Sequence, residues 1–471
     1  MVVGLGKTGI AVARFLKRSG AAVVAADTAS ESRLAAQAHA IQAVGIPVEL
    51  GRHRAETFRQ ADLIVLSPGV PHAIEPFIQA REHGIPVIGE IELAARFIRQ
   101  PIVAVTGTNG KTTVTEMVGD MLRRSNFKVF VGGNIGTPLI DYAAGKQQAD
   151  VIVAEISSFQ LDTIEKFRPR VGLLLNITPD HLDRYPNFAA YAASKMRLFE
   201  NQQADDVAVL NGADPLIRSL TARVRARKLI YPDPAADEEG AILANRQITL
   251  RSHKIAGVSE KNQNAKSGIP SASKSLSDAD RNPIALLLAN FKLKGRHNLE
   301  NACAAALASL AFGARPQAIQ DTLDHFKGSA HRLEYIDAIN GVEFFNDSKA
   351  TNVDAVRRAV ECFDAPLVLI MGGLDKGGNF RELRQAVAGH AKKLIVMGRA
   401  VDLIRSALMD VTATSSAAGM ADAVDQAYEA AGPGDVVLLS PGCASFDMYA
   451  DYAQRGDDYR QTVAKLKLQK S

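Results

Sequence analysis

Residues 102–113 read Ile-Val-Ala-Val-Thr-Gly-Thr-Asn-Gly-Lys-Thr-Thr. The apolar run Ile102–Val105 predicts a buried strand, and the two glycines after it predict a loop. Beyond the loop, apolar residues recur at the spacing of one helix face, at Val114, Met117, Val118, Met121 and Leu122. The stretch therefore predicts a strand, a glycine loop and an amphipathic helix in direct succession, which is the building unit of an α/β fold.

The loop at 107–113 has the chemistry of a phosphate site. Glycines let backbone N–H groups approach an anion, and the start of the following helix adds its positive dipole end. Lys111 would bridge the β- and γ-phosphates of ATP, and the Thr112 hydroxyl would reach Mg²⁺. The usual motif has another glycine five positions before Gly110, where this chain has Val105. The predicted ATP-binding residues of the loop are Gly107, Thr108, Asn109, Gly110, Lys111, Thr112 and Thr113. A plain helix cap with an exposed lysine is the alternative, which the preceding strand and the following helix disfavour.

Apolar strands alternate with helical periods along most of the chain, which predicts α/β domains with largely parallel sheets. Further buried strands are predicted at Val151–Ala154, Gly172–Leu175, Pro366–Met371, Leu394–Met397 and Val436–Leu439. A length of 471 residues indicates two or three domains. We expect a Rossmann-like domain at 1–95, a central P-loop ATPase domain at 96–329 and a Rossmann-like domain at 330–471. Residues 259–280, rich in Ser, Lys and Asn, predict a flexible insertion without chemistry.

The composition excludes several classes of protein. A net charge of +4 without a basic tract disfavours nucleic-acid binding. The three cysteines, Cys303, Cys362 and Cys443, lack CxxC spacing and predict neither a disulfide framework nor a zinc site. No apolar run has membrane-spanning length, and the N-terminus does not read as a signal peptide. We therefore expect a cytoplasmic protein that acts on small molecules.

Polar residues follow two of the predicted strands beside the loop. Glu155 comes directly after Val151–Ala154, where a carboxylate would be well placed for Mg²⁺. His181 lies among acids just past Gly172–Leu175, at the same edge of the predicted sheet. An ordinary strand-end glutamate and a structural histidine are the alternatives. Lys195 alone would be read as a solvated helix lysine.

A second glycine pattern lies at the N-terminus. Gly4, Gly6 and Gly9 fit G-x-G-x-x-G, and Asp27 follows Val23–Ala26 at the offset of a ribose-binding acid. Alone, this pattern would suggest a nicotinamide or flavin enzyme. Only three residues precede Gly4, which is too little for a full first strand.

Together these residues resemble the Mur ligase family, the ATP-dependent amino-acid ligases of bacterial peptidoglycan synthesis. The matching segments are Thr106–Thr113, Glu155–Gln160, Asn176–Tyr185, Lys195, Gly295–Ala302, His331-Arg332 and Asp347–Asn352. Within the family, Asn346–Asn352, Leu439–Asp447, Arg455–Asp457 and the N-terminal block with Gly4–Gly9 look like the members that add D-glutamate. The resemblance implies ligation of D-glutamate to UDP-N-acetylmuramoyl-L-alanine through an acyl phosphate, with release of ADP and phosphate.

The resemblance also implies the site residues. Those of catalysis would be Lys111, Glu155, His181 and Lys195. Two Mg²⁺ ions would be held by Thr112, Glu155, His181 and Lys195, the lysine as a CO₂-derived carbamate. ATP would further contact Asn298, Asn301, Arg332 and Asp347. The UDP-substrate would contact Gly4, Gly6, Lys7, Thr8, Asp27, Thr28, Ser67, Pro68, Gly69, Asn134 and Ser157. D-Glutamate would contact Lys349, Thr351, Lys376, Ser445, Phe446 and Tyr452, where Tyr452 takes a place at which the family has Phe.

Three alternatives stay open at this point. The chain could be another ligase of the same superfamily, either another muramyl-peptide ligase or a folylpolyglutamate synthase-like enzyme. The folate-type enzymes lack the N-terminal UDP-binding block. It could be a nucleotide-gated binding protein without a ligase step, which would not need Glu155, His181 and Lys195 together. A nicotinamide-dependent oxidoreductase would leave the second glycine loop unexplained. Because the implied ligands come from all three blocks, we expect the site to lie between them and the C-terminal block to close onto the other two when ATP binds. We also expect a monomer.

Overall fold

The computed structural model describes residues 1–53, 55–182, 184–251, 284–293, 295–328 and 330–470. The predicted insertion at 259–280 lies outside these residues. Three sheets of five, nine and six strands follow one another along the chain. Each sheet lies within one of the three predicted domains, 1–95, 96–329 and 330–471, which are called the first, second and third segments below. The exact boundaries of these segments stay a prediction.

The first sheet is wholly parallel, in the order β3-β2-β1-β4-β5. Its strands are β1 (Val2–Val3), β2 (Ala25–Asp27), β3 (Val48–Leu50), β4 (Ile64–Leu66) and β5 (Val87–Gly89). Its helices are α1 (Lys7–Arg18), α2 (Glu31–Gln42), α3 (Ala55–Arg59), α4 (Glu75–Glu82) and α5 (Glu90–Ala95). The first strand has only two residues, yet it pairs on both sides and forms the centre of the sheet.

The second sheet has the order β14-β13-β12-β11-β10-β9-β6-β8-β7. Its strands are β6 (Ile102–Thr106), β7 (Val129–Gly133), β8 (Val151–Glu155), β9 (Val171–Leu174), β10 (Val207–Asn211), β11 (Arg227–Tyr231), β12 (Gly240–Ala244), β13 (Gln247–Arg251) and β14 (Ala285–Leu287). Its helices are α6 (Lys111–Arg124), α7 (Leu139–Ala143), α8 (Ser158–Leu161), α9 (Phe188–Met196), α10 (Pro215–Leu220), α11 (Arg296–Phe312) and α12 (Pro316–His325). Pairing is parallel except at β12–β13 and β13–β14. Because β6 lies between β9 and β8, the phosphate loop is flanked by the carboxyl ends of both neighbours.

The third sheet has the order β15-β16-β20-β17-β18-β19, and only its edge pair β15–β16 is antiparallel. Its strands are β15 (Glu334–Ile339), β16 (Val342–Asn346), β17 (Leu367–Gly372), β18 (Ala391–Met397), β19 (Ala413–Ser416) and β20 (Val436–Leu439). Its helices are α13 (Val353–Val360), α14 (Arg384–His390), α15 (Val401–Leu408), α16 (Met420–Ala430) and α17 (Tyr452–Lys470).

Apolar residues cover both faces of these sheets, as parallel sheets require. The predicted stripe of α6, Val114, Met117, Val118, Met121 and Leu122, is fully buried against one face of the second sheet. The opposite face shares a single apolar cluster with the first sheet and its helices α1 and α5. The third sheet has two clusters of its own, one on each face. The predicted α/β class with mostly parallel sheets is confirmed.

The predicted strands are all present, with shifts at their ends. The strand predicted at Gly172–Leu175 is β9, one residue earlier, and the one predicted at Leu394–Met397 begins already at Ala391. Among the described residues, none of the helices combines the length and apolar character that crossing a membrane would require.

Candidate active site

The phosphate loop has a backbone that only glycine accommodates at its turn. Gly110 immediately precedes α6 and has φ +85°, in the left-handed region. A Cβ atom there would also lie 2.5 Å from the Oδ1 atom of Asn301 on α11. Asn301 in turn donates from Nδ2 to Oδ1 of Asn298, at 3.3 Å. The glycine therefore lets the loop approach Asn301 on α11, which itself contacts Asn298, the other predicted ATP-binding residue of this helix.

Two lysines converge on the carbonyl oxygen of Gly107. Lys111 donates from Nζ to the carbonyl oxygens of Gly107 and Thr108, both at 2.8 Å. Lys195 donates from Nζ to the same oxygen of Gly107, at 2.9 Å. Burial is the main reason that the pKa of each lysine is lowered, and the positive charge of Lys111 lowers that of Lys195 further. The loop therefore holds two crowded amines beside the predicted phosphate position.

Lys195 is 1% exposed, so its default interpretation as a solvated helix lysine is wrong. The residue lies near the end of α9, whose Tyr191 ring centre is 4.5 Å from the lysine Nζ. The helix packs its inner face against the loop, and helical periodicity alone does not show which face that is.

Glu155 joins residues predicted for two different ligands. Its Oε2 atom accepts from the Thr112 hydroxyl at 2.7 Å, and its Oε1 atom accepts from Nδ2 of Asn134 at 2.8 Å. Arg332, from the third segment, donates from Nη2 to the Thr112 hydroxyl at 3.0 Å. Glu155 is 2% exposed at the end of β8, and both of its carboxylate oxygens accept a hydrogen bond. Its carboxylate and the threonine hydroxyl are the hard oxygen donors that Mg²⁺ prefers.

His181 lies on the same edge of the sheet, in a left-handed conformation with φ +55°. Its ring packs edge-on against Phe159 at 4.7 Å and lies 6.4 Å from the Tyr191 ring. The His181 N–H donates to Oδ1 of Asp180, at 2.9 Å. Among the described residues, no group of three or more His, Cys, Asp or Glu side chains could hold a metal ion. His181 and Lys195 therefore both lie near Tyr191, but the described side chains around them do not form a complete set of metal ligands.

Asp347 is buried and directly follows β16. Its carboxylate accepts from the Ser440 hydroxyl at 3.0 Å and from the Leu333 N–H at 3.2 Å. Burial raises the pKa of Asp347 to about 7, against the effect of these hydrogen bonds and of Arg332. The carboxyl group thus lies next to the residue that follows Arg332, which brings these two predicted ATP contacts together.

The residues predicted for D-glutamate fall into two groups. Lys349 donates from Nζ to the Tyr452 hydroxyl at 2.7 Å, and burial lowers its pKa to about 8. Lys376 instead lies 3.5 Å from Oδ1 of Asp180. The loops that carry Lys376 and Ser445 are joined by paired hydrogen bonds between Leu374 and Ala444. Ser445 is buried, whereas Phe446 is 69% exposed.

Thr351 connects the two groups along the chain. It is half-buried and immediately precedes Asn352, whose Nδ2 atom donates to Oδ2 of Asp180 at 3.0 Å. The segment 349–352 therefore runs from the Lys349–Tyr452 pair to Asp180, which also lies beside Lys376.

The N-terminal glycine loop folds as its pattern predicts. Gly4 has φ +92° and accepts from the Ser67 hydroxyl at 2.8 Å, and a Cβ atom on Gly9 would lie 1.8 Å from the Gly4 carbonyl oxygen. Asp27 accepts from the Leu5 N–H at 2.8 Å and from the Ala29 N–H at 2.9 Å. The carboxylate of Asp27 therefore holds the loop, with Thr28 directly after it and Gly6 at the start of α1.

Polar contacts join this loop to the second segment. Lys7, which with Thr8 begins α1, donates from Nζ to the Gly136 carbonyl oxygen at 2.8 Å. Arg184 donates to the carbonyl oxygen of Gly69, which follows Pro68, at 3.2 Å. Ser157 caps α8 by accepting from the N–H of Gln160. Lys7 and Gly69, two of the residues predicted for the UDP-substrate, thus lie at the junction of the first two segments.

Sequence reasoning missed several residues that hold this site together. Asp180 and Asn352 lie inside the motifs but had no role assigned, and Asn176 exchanges two hydrogen bonds with the backbone of Asn109, at 2.8 and 3.0 Å. Arg184, which contacts Gly69, also lies inside one of the motifs and had no role assigned. Asp354 gave no signal, since an acid in the first turn of a helix is common.

Comparisons with known proteins cover the whole architecture. Family descriptions match in three consecutive segments: Mur ligase MurD-like, N-terminal domain at residues 1–89, Mur ligase middle domain at 105–309, and Mur ligase, glutamate ligase domain at 331–443. Among solved structures, a pseudomurein peptide ligase type C from Methanothermus fervidus is 19% identical, with a TM-score of 0.59 and 99% of each chain covered. The MurF ligase from Thermotoga maritima in complex with ADP is 15% identical, with a TM-score of 0.59, and covers 89% of this chain and 97% of its own. At these identities the two structures show the shared fold.

Curated relatives are similar over nearly their full length. The UDP-N-acetylmuramoylalanine–D-glutamate ligase of Desulfosudis oleivorans is 47% identical, covering 99% of this chain and 96% of its own. The protein of the same name from Desulfatibacillum aliphaticivorans is 49% identical, covering 99% and 98%. Identity of this extent, together with three family segments in order, establishes the relationship that the motifs suggested. The chain belongs to the Mur ligase family.

Proposed function

We propose that this chain ligates D-glutamate to UDP-N-acetylmuramoyl-L-alanine at the expense of ATP, in cytoplasmic peptidoglycan precursor synthesis. The observation that carries the proposal is the carboxylate of Glu155, which contacts Thr112 of the phosphate loop and Asn134 of the predicted UDP-substrate site. ATP and the acceptor carboxylate would therefore meet at one buried point. The names of the curated relatives support the same activity.

The reaction needs activation of a carboxylate, because its oxygen is a poor leaving group. Transfer of the γ-phosphoryl group of ATP to the substrate carboxylate gives an acyl phosphate and ADP. The amine of D-glutamate then attacks the acyl carbon, the C–O bond breaks and phosphate leaves, while the amine loses a proton. Most of the protein's contribution to such a reaction is positioning and charge neutralisation.

In this proposal, Lys111 and the loop N–H groups hold the ATP phosphates. Thr112 and Glu155 would supply oxygen ligands to the first Mg²⁺, and Arg332 would orient the threonine hydroxyl that it contacts at 3.0 Å. Bound magnesium would neutralise charge that develops on the phosphate oxygens. Asn298, Asn301 and Asp347 would surround the adenosine part of ATP, since they lie around Gly110 and Arg332.

A second Mg²⁺ site would use His181 and Lys195. Lysine becomes an oxygen ligand only as a carbamate, which forms from the neutral amine. The buried position of Lys195 and its depressed pKa favour the neutral amine. The crowding with Lys111 at the Gly107 oxygen would be relieved by this change of charge.

D-Glutamate would lie between the Lys349–Tyr452 pair and Lys376, which places a lysine of the third segment on each side of it. Two lysines suit a dicarboxylate, and Thr351 and Ser445 add hydroxyl donors. Tyr452 keeps a hydroxyl in place of the apolar ring edge of Phe, and this hydroxyl accepts from Lys349. Phe446, exposed beside Ser445, would cover the bound amino acid.

The decisive experiment measures phosphate release from ATP with UDP-N-acetylmuramoyl-L-alanine present. D-Glutamate is compared with L-glutamate, D-alanine and meso-diaminopimelate. Release that depends on D-glutamate is expected, and Lys111→Ala should abolish it. Lys146→Ala, an exposed lysine on a distant loop, is the matched control.

Other outcomes separate the remaining alternatives. Dependence on a different amino acid would keep the ligase mechanism but overturn the assignment of Thr351, Lys376 and Ser445. Release without any acceptor dependence, or none at all, would favour a nucleotide-gated binding protein. Size-exclusion chromatography with light scattering gives the oligomeric state, for which we propose a monomer.

A further inference from the structure

Helix α13, in the third segment, begins directly beside the phosphate loop of the second. Asp354 lies in its first turn, and its Oδ2 atom accepts from Nδ2 of Asn109 at 2.9 Å. The same oxygen accepts from the Thr178 hydroxyl at 3.2 Å. Asn109 belongs to the phosphate loop itself, and Thr178 follows the strand next to it. One carboxylate therefore contacts two elements that surround the predicted nucleotide phosphates.

The Asp354 carboxylate is held firmly on its own helix. Arg357 donates to Oδ1 at 2.7 Å and Arg358 donates to Oδ2 at 2.8 Å. The side chain of Asp354 is only 11% exposed. Although burial raises the pKa of Asp354, the two arginines hold it below the usual value, so the group is ionised at neutral pH. Hydrogen bonds to an ionised, partly buried acceptor are stronger than neutral ones.

The side chain of Asn109 is hydrogen-bonded to the third segment, and its backbone is hydrogen-bonded to the second. Its Oδ1 atom accepts from Nδ2 of Asn352 at 3.4 Å, next to the contact with Asp354. Its N–H and carbonyl oxygen pair with the side chain of Asn176. Movement of α13 away from the second segment would release the side chain but leave the backbone anchored. The position of the Asn109 side chain, two residues before Lys111 in the phosphate loop, therefore depends on where α13 lies.

The far end of α13 rests on the second segment as well. Just past this end, Cys362 has its Sγ atom 3.9 Å from Nδ1 of His297, at the start of α11. Burial, with the charge of Arg358, lowers the pKa of His297 to about 4, so the imidazole of His297 is neutral at neutral pH. Helix α13 therefore contacts the second segment near both of its ends, and Asp354 supplies a charged contact at its start.

We infer that Asp354 is a positioning residue for nucleotide binding, which acts through Asn109 and Thr178. It orients the phosphate loop when α13 lies against the second segment, and it makes ATP affinity depend on the third segment. The inference rests on the proposed use of the loop for ATP. The simpler alternative is that Asp354 only stabilises the start of α13 through its two arginines.

The test compares Asp354→Ala with Glu361→Ala in the full chain. Glu361 also pairs with Arg357, at 3.1 Å, but is 46% exposed and lies at the other end of α13. Loss of a charged hydrogen-bond acceptor corresponds to about a tenfold weaker affinity. We expect Asp354→Ala to raise the dissociation constant of the ATP analogue AMP-PNP and the KM for ATP about tenfold, with little change in affinity for the UDP-substrate. Glu361→Ala should leave all three constants within about twofold.

A double-mutant cycle with Thr178→Val shows whether Asp354 acts through its hydrogen bond with Thr178. In Asp354→Ala, the added Thr178→Val change should have little further effect, because its partner is already absent. Additive effects, equal effects of Asp354→Ala and Glu361→Ala, or a lower melting temperature with unchanged nucleotide affinity would each overturn the inference. Asp354→Asn, which keeps the shape and one acceptor oxygen, should restore part of the affinity.

Binding of AMP-PNP does not require ligation. Failure of D-glutamate-dependent phosphate release in the unmodified chain would overturn the proposed function, while the contrast between Asp354→Ala and Glu361→Ala would still decide this inference.

Discussion

At the scale of single residues, Lys195 has a buried position that lowers its pKa and so favours the neutral amine. Its Nζ atom and that of Lys111 donate to one carbonyl oxygen, and the side chain is 1% exposed. We expect protein incubated with ¹³C-bicarbonate to show a carbamate carbon signal that Lys195→Ala lacks and that Lys146→Ala retains. Activity of Lys195→Ala should fall by about one to two orders of magnitude. An identical signal in Lys195→Ala would contradict the assignment.

The residues of the site differ in how far the sequence could predict them. Gly110 and Lys111 were predictable because phosphate binding by such a loop requires a glycine followed directly by a lysine. Lys195 was identified through family resemblance alone, since its burial depends on which face of α9 packs inward. Asp354 was not predicted, because its function depends on contact with Asn109, which is 245 positions away along the chain.

At the scale of elements, Glu90 carries a prediction about the junction between the first two segments. It begins α5, is 2% exposed, and its Oε1 atom accepts from the Ile140 N–H of α7 at 2.7 Å. Its Oε2 atom has no hydrogen-bond partner among the described residues. Burial raises the pKa of Glu90 from 4.5 to about 7, with the Ile140 hydrogen bond opposing the rise. The folded state therefore binds a proton more tightly than the unfolded state does.

The sign of the pH effect follows from this difference. Between pH 4.5 and about 7 the folded state binds more protons, so the stability contributed by protonated Glu90 is lost as pH rises through that window. The loss is about 3 kcal/mol at most. Glu90→Gln, which stays neutral, should show a smaller drop in melting temperature between pH 5 and pH 8 than the unmodified protein. The exposed Glu82→Gln is the control, and equal drops in all three proteins would contradict the prediction.

The elements themselves were largely predictable from apolar periodicity. The stripe on α6 and the buried strands β8 and β20 are strong local patterns, and each lies where the pattern predicts it. Strand ends shifted by one to three residues, because hydrogen bonding to neighbouring strands, rather than local composition, sets the last paired residue. The order of strands was not predictable, and this order places β8 and β9 on either side of β6.

At the scale of the whole molecule, the three segments are joined in two different ways. The first and second share one apolar cluster, which includes Val2 and Ile230. The clusters of the third segment contain only its own residues. Its contacts with the second segment near the site are polar, such as Arg332 to Thr112 and Lys376 to Asp180. Polar interfaces between domains are those at which relative motion is expected, so the third segment is the one predicted to move.

This difference predicts how closure responds to ligands. Arg332 and Asp354 contact the phosphate loop directly, so occupation of the loop by AMP-PNP should favour the closed arrangement. We expect small-angle scattering to give a smaller radius of gyration with AMP-PNP and UDP-N-acetylmuramoyl-L-alanine than without them. Asp354→Ala should need a higher AMP-PNP concentration to reach this smaller radius of gyration, whereas Glu361→Ala should need the same concentration as the unmodified protein. Superimposable scattering profiles with and without ligands would show that closure does not occur, because the polar contacts would then persist without nucleotide.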